Sequence, residues 1–223
     1  MLRSLTRVSL RQTTASTPLS LRLRALSTLP SNSHVYVFPD PNNPAQHLLT
    51  FLPTSPPNAS LAIGTTTASP PNPSSVQENP RFLDLLHSTI AEHGHQDPQL
   101  RGEATALATS TGGIPLAQTQ RRQQTGSAGA SDQGGHGGGG RGGWIHVYDL
   151  RHPPDFGRIP DPEDIFGSLE VDADGTFTDG TGDYQQSGTY RVCTRDGVVQ
   201  LSDFLRGKLI QRLKAEEARL GKS

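Results

Sequence analysis

GGHGGGGRGGWIHVYDL, residues 134–150, joins two kinds of chain. Glycines on both sides of Arg141 lead straight into an apolar, strand-like run, so the stretch reads either as a phosphate-cradling loop or as a tether. Gly137, Gly139 and Gly142 do satisfy G-x-G-x-x-G. A phosphate-binding loop of that pattern, however, follows a strand and opens a helix, because the helix's free N–H groups and dipole hold the anion. Here a strand follows instead, and the stretch from Gly102 to Gly143 is small, polar and glycine-rich, with too little apolar area to offset the chain entropy of ordering it. The reading is a tether, and residues 102–143 are expected to be a disordered Gly/Ser/Gln-rich linker.

Order is expected to return at Trp144. WIHVYDL is a strand. SLEVDADGTFT reads as two strands around Asp174-Gly175, and TYRVCTRDGVVQL as a tighter hairpin around Asp196-Gly197. SDFLRGKLIQRLKAEEARLG supplies a helix with Ser202 as N-cap, Gly221 after its end, and an apolar stripe from Leu205, Leu209 and Leu213. Residues 144–221 are therefore expected to form a compact α+β module, a small antiparallel sheet with a C-terminal covering helix. Enough nonpolar side chains for cooperative packing are expected only there.

Upstream, residues 34–100 read as a small β-rich segment with one helix. HVYVFPD, HLLTFLP and SLAIG are strand-like runs separated by proline-rich turns. In ENPRFLDLLHSTIAEHG, Asn79 is an N-cap, Pro80 takes the first helical position, Gly94 stands past the end, and Phe82, Leu86 and Ile90 share a face.

Composition narrows the function classes. The chain has 223 residues, of which 32% are hydrophobic and 5% aromatic, with 24 Gly and 18 Pro, so one chain-wide core is not expected. No apolar run approaches the length of a membrane span, and no stable membrane insertion is expected. Residues 1–26 hold Arg3, Arg7, Arg11, Arg22 and Arg24 among Ser, Thr and Leu, with no acid before Asp40, the composition of a disordered mitochondrial transit peptide. Its removal leaves 15 basic and 21 acidic residues, a net charge of −6, which disfavours phosphate-backbone binding by the whole surface. The lone Cys193 permits no intrachain disulfide, consistent with a reducing matrix.

The residues that could carry chemistry are few. His146, Asp149 and His152 are candidate metal ligands, as is His93-x-His95, but no CxxC or HExxH frame supports them and no cofactor is implied. DADGTFTDGTGD, residues 172–183, spaces its acids like a calcium loop but has Phe177 where the sharp turn needs glycine and Asp183 where the loop needs glutamate, so solvated turns are expected. No G-x-S-x-G is present, and Cys193 reads as a strand filler. Residues 149–183 hold ten acids against Arg151 and Arg158, whereas 184–223 hold eight bases against four acids. The basic helix either neutralises the acidic loops internally or meets another surface. The proline-rich connection RHPPDFGRIPDPEDIFG offers Phe156, Arg158, Ile159 and Phe166 as partner-binding residues, and the helix offers Arg206, Lys208 and Arg212.

These features imply a non-catalytic accessory protein of the mitochondrial matrix that docks on a larger protein complex, the mitochondrial ribosome or a respiratory-chain assembly. RNA would be touched only weakly, through Arg121, Arg122 and Arg141. The alternative is a small metal-dependent enzyme or ligand-binding module built from the His/Asp-rich residues 146–183.

Overall fold

The computed structural model describes residues 27–112, 142–155 and 158–221. The transit-peptide reading, the glycine tract from 113 to 141 with its three arginines, and Phe156 lie outside the described residues. The fold is α+β. A five-stranded antiparallel meander comes first: β1 Ser27–Thr28, β2 Tyr36–Pro39, β3 His47–Thr50, β4 Gly64–Thr66 and β5 Val76–Glu78. Helices α1, Pro80–His93, and α2, Pro98–Gly112, follow. A three-stranded antiparallel sheet then contains β6 Gly143–Tyr148, β7 Ile165–Val171 and β8 Gln185–Gln186. The short hairpin β9 Cys193–Thr194 and β10 Gly197–Val198 precedes α3, Asp203–Leu220.

Local chemistry explains where the helices begin. Asn79 Oδ1 accepts from the Arg81 N–H at 3.1 Å and Pro80 needs no donor at the first position, so α1 starts there. Its Phe82, Leu86 and Ile90 are fully buried. Gly94 has right-handed helical geometry, and the chain passes through a short 3-10 turn into α2 instead of stopping. Asp97 opens α2 by accepting from the Gln99 N–H at 2.9 Å, and it also accepts from the Ser202 hydroxyl. Ser202 Oγ in turn takes the Leu205 N–H at 3.2 Å, so the caps of α2 and α3 are joined side chain to side chain.

Helix α2 corrects the expected linker boundary at 102, since helix continues through residue 112. PQLRGEATALATSTG contains Gly102 and three threonines, of which Thr105 and Thr109 bond back through their hydroxyls to the carbonyls of Arg101 and Ala106, and it is a weak helix by propensity. Tertiary contact supplies what propensity lacks: Leu100 and Ala104 are buried.

The larger correction concerns the core. Among the described residues one hydrophobic cluster has 26 buried members, and 12 of them precede residue 113. Leu49, Phe51, Ile63, Phe82, Leu86 and Ile90 pack in the same cluster as Phe166, Leu169, Val192, Leu209 and Leu213. Helix α3 packs on α1, its Leu205, Leu209 and Leu213 join the same cluster, and ion pairs Arg81–Glu216 at 3.5 Å and Arg212–Glu92 at 2.9 Å border the contact with α1. Residues 144–221 are thus one half of a shared core. Buried side chains from both halves pack together in it.

Two details of register differ from expectation. Thr194 pairs with Gly197, so the hairpin turn is Arg195-Asp196, one residue earlier than the Asp-Gly pair suggested, with Gly197 at φ +127° just after it. In β7, Val147 pairs with Gly167 and Tyr148 with Ile165, which leaves Phe166 as the extra residue of a β-bulge. The bulge puts Phe166 out of phase with Leu169 and Val171 and still buries it. Gly167 is required there, because a Cβ would meet Tyr184 Cε2 at 2.6 Å.

Gly207 has no such role: a Cβ at this position would meet nothing within 4 Å. Gly207→Ala is expected to stabilise the protein by about 1 kcal/mol through helix propensity alone. Urea denaturation checks it, and an unchanged or lower midpoint would mean that the position is under a constraint absent from this packing.

Candidate functional site

After β6 the chain turns into a knot of buried charge. Asp149 is fully buried. Its Oδ1 accepts from the Arg151 N–H at 3.0 Å and the Gln200 N–H at 2.9 Å, and its Oδ2 accepts from the Tyr190 hydroxyl at 3.1 Å. The Arg151 side chain, 2% exposed, donates from Nε to Asp164 Oδ1 at 2.7 Å. Nη1 reaches the carbonyls of Val192 at 2.9 Å and Gly197 at 3.4 Å, and Nη2 those of Arg191 at 2.7 Å and Glu163 at 3.1 Å. The guanidinium carbon lies 5.7 Å from the Tyr190 ring centroid, and that ring packs on Phe166 at 4.5 Å between centroids.

Burial pushes the Asp149 carboxyl up to about 6 against the pull of Arg151, and pushes the Tyr190 hydroxyl well above its ordinary value. Neither group has an open side for a substrate. The knot instead ties residues 149–151, 163–164, 190–192 and 197–200 into one unit, and its donors and acceptors match well enough to offset much of the desolvation.

Beside the knot opens a cleft of about 910 Å³. Val76 and Glu78 of β5 line it, and its other charged residues are Asp161, Glu163, Arg191 and Arg195. Glu78 Oε1 accepts from the Val192 N–H at 2.8 Å and so fixes the edge of the first sheet to the segment carrying Arg191. Cys193 lines the cleft too, but it is buried, burial pushes its thiol up, and Sγ lies 3.7 Å from the Thr194 carbonyl, so it is a neutral thiol and not a nucleophilic thiolate.

Burial favours the neutral form of His87 and of His146. His87 Nδ1 lies 2.9 Å from the Tyr184 hydroxyl, which gives its single proton to the Phe166 carbonyl at 3.0 Å, so Nδ1–H of His87 is the donor. Burial lowers the His87 pKa, with Asp84 opposing, and burial also lowers that of His146. A base with a lowered folded value takes up protons more readily when unfolded. Its contribution to stability is therefore present above the unfolded value of 6.5 and is lost as pH falls from there through the folded value. Asp149 acts in the opposite sense below about 6, because the fold favours its protonated form. His87→Gln, which keeps a donor for Tyr184, is expected to flatten the loss of stability between about pH 7 and 6; urea midpoints at both values check this, and equal slopes would count against a neutral buried His87.

The residues singled out from sequence have separate fates. His146 Nδ1 bonds Ser168 Oγ at 2.9 Å across the strands, Asp149 is fully engaged in the knot, and only His152 is exposed, so these three do not form a metal site. His152 instead approaches Asp161 and Asp164. Asp172 Oδ1 accepts from the Asp174 and Thr176 N–H groups, which is turn chemistry, as expected for residues 172–183. Of the partner-binding candidates, Arg158 and Ile159 are exposed, while Phe166 is core. Arg206 pairs with Asp203 at 2.7 Å, Arg212 with Glu92 on α1, and Lys208 Nζ lies 5.4 Å from the Phe204 ring. These bases of α3 thus meet their own helix and α1, not the acidic loops.

Sequence reasoning missed Arg151, Asp164, Tyr190 and the cleft arginines Arg191 and Arg195. The signal the sequence carried was weak: Asp149 and Arg151 flank Leu150 where an apolar strand meets an acidic, proline-rich connection. Among the described residues no helix is long and apolar enough to cross a membrane. Comparison of the chain with protein-family models, with curated proteins and with solved structures finds no match.

Proposed function

We propose that the chain is a non-catalytic accessory protein of the mitochondrial matrix that docks on a larger complex, the mitochondrial ribosome or a respiratory-chain assembly, through the charged cleft. The observation that carries the reading is that cleft: about 910 Å³, open to solvent, and lined by Arg191 and Arg195 together with Glu78, Asp161 and Glu163. Charges of both signs fixed on a rigid frame give register and orientation to an incoming surface more than they give raw affinity. The knot supplies the rigidity, since Arg151 holds the backbone of Glu163, Arg191 and Gly197 at once. The arginine-rich, acid-free residues 1–26 support the address, and the remaining charge of −6 supports a protein partner over bare nucleic acid.

Gradient sedimentation of mitochondrial lysate from cells making the tagged chain tests this. Co-migration with a ribosomal subunit that ribonuclease abolishes assigns the ribosome, and co-migration that ribonuclease leaves intact assigns a protein assembly. Arg191→Glu with Arg195→Glu is expected to release the chain to the top of the gradient in either case. A wild-type chain that sediments alone, or a double variant that co-migrates undiminished, contradicts docking through the cleft.

A metal-dependent reading is favoured by a different observation, the approach of His152 to two aspartates.

A further inference from the structure

His152, Asp161 and Asp164 each bring one potential ligand atom to within 4.8 Å of the others. Exposed carboxylates cluster often without an ion, so the surroundings decide. Asp164 is not a solvated acid: its side chain is 2% exposed, and Arg151 Nε holds Oδ1 at 2.7 Å. The carboxylate is therefore oriented from behind, as outer-shell partners orient metal ligands, while its second oxygen has no hydrogen-bond partner among the described residues. Asp161 occupies the cap position of the 3-10 turn Pro162–Asp164, yet its carboxylate makes no cap bond. The backbone of the same turn fixes the spacing of the two acids, since the Asp164 N–H donates to the Asp161 carbonyl at 2.8 Å. The imidazole of His152 likewise has no hydrogen-bond partner among the described residues.

Charge points the same way. Asp149 and Asp164 set two carboxylates against the single guanidinium of Arg151, and Asp161 raises the excess to two negative charges. A dication at this position closes the local balance. Two oxygens and an imidazole nitrogen suit zinc, cobalt, manganese or ferrous iron, whereas calcium takes six to eight oxygens.

We propose that His152, Asp161 and Asp164 bind one divalent transition-metal ion, with solvent filling the remaining positions on the side where Asp161 lines the cleft. The ion fastens the segment after β6 to the turn before β7. Unlike the docking reading, the site is a property of the isolated chain, so the two succeed or fail independently.

Titration of the untagged full chain with Co2+, followed by its visible ligand-field absorption and by equilibrium dialysis, tests the site. One Co2+ per chain is expected, displaced by Zn2+. His152→Ala and Asp161→Asn remove exposed ligands and leave the metal-free melting temperature unchanged, and each is expected to weaken Co2+ binding at least about tenfold. His34→Ala, an exposed histidine elsewhere, is expected to bind as the wild type does. A wild-type chain that takes up no Co2+, or undiminished binding in both ligand variants, overturns the assignment.

Discussion

Arg151→Met is expected to cost about 3–5 kcal/mol, the range found when one partner of a buried ion pair is removed. The loss is not of attraction alone. Methionine fills much of the volume but leaves the carbonyls of Val192, Arg191 and Glu163 without their donor and strands Asp164 with an uncompensated charge. Arg151→Lys is expected to fall between, because an ammonium is a point donor and cannot reach five acceptors spread around a planar fork. Adding Asp164→Asn to Arg151→Met is expected to recover part of the loss by removing the stranded charge. Urea unfolding of the three variants measures this series. A cost below about 1 kcal/mol for Arg151→Met would mean that the knot is hydrated and contributes little.

Phe166→Ala is expected to cost about 3–5 kcal/mol through the cavity it leaves. Phe166 is fully buried against Tyr190, and its carbonyl accepts from the Tyr184 hydroxyl and the Ser187 N–H, so the bulge carries both the ring and two cross-strand bonds. An exposed docking anchor behaves differently. Its truncation leaves stability within about 0.5 kcal/mol and affects only binding. Thermal and urea unfolding of the variant separates the two roles of this side chain.

That ring is also where the sequence was hardest to read. Close behind Pro160 and Pro162, Phe166 reads as part of the connection, with the strand beginning at Ser168, whereas the strand begins at Ile165 and its bulge buries a ring that alternation from Leu169 would expose. The helices α1 and α3 were legible because their start signals are local: Asn79 before Pro80 in one case, Ser202 three residues before Leu205 in the other. Helix α2 was not, because its alanines, threonines and Gly102 carry little periodicity and its stability comes from Leu100 and Ala104 in the common core. The Arg151 knot was equally hidden. Most of its acceptors are backbone carbonyls as far as 46 residues away, and a carbonyl leaves no trace in a residue's identity. His152, Asp161 and Asp164 meet only because the turn before β7 folds back on the end of β6, a placement that no short ligand spacing announces.

Residues on both sides of the glycine tract build one core, with Phe82, Leu86 and Ile90 of α1 packed in the same cluster as Leu209 and Leu213 of α3. Separate production of residues 27–112 and 142–221 tests it most directly. Each fragment alone is expected to lack a cooperative thermal transition, and an equimolar mixture to regain one. A cooperative transition in the 142–221 fragment by itself, unaltered by the other, would contradict the shared core.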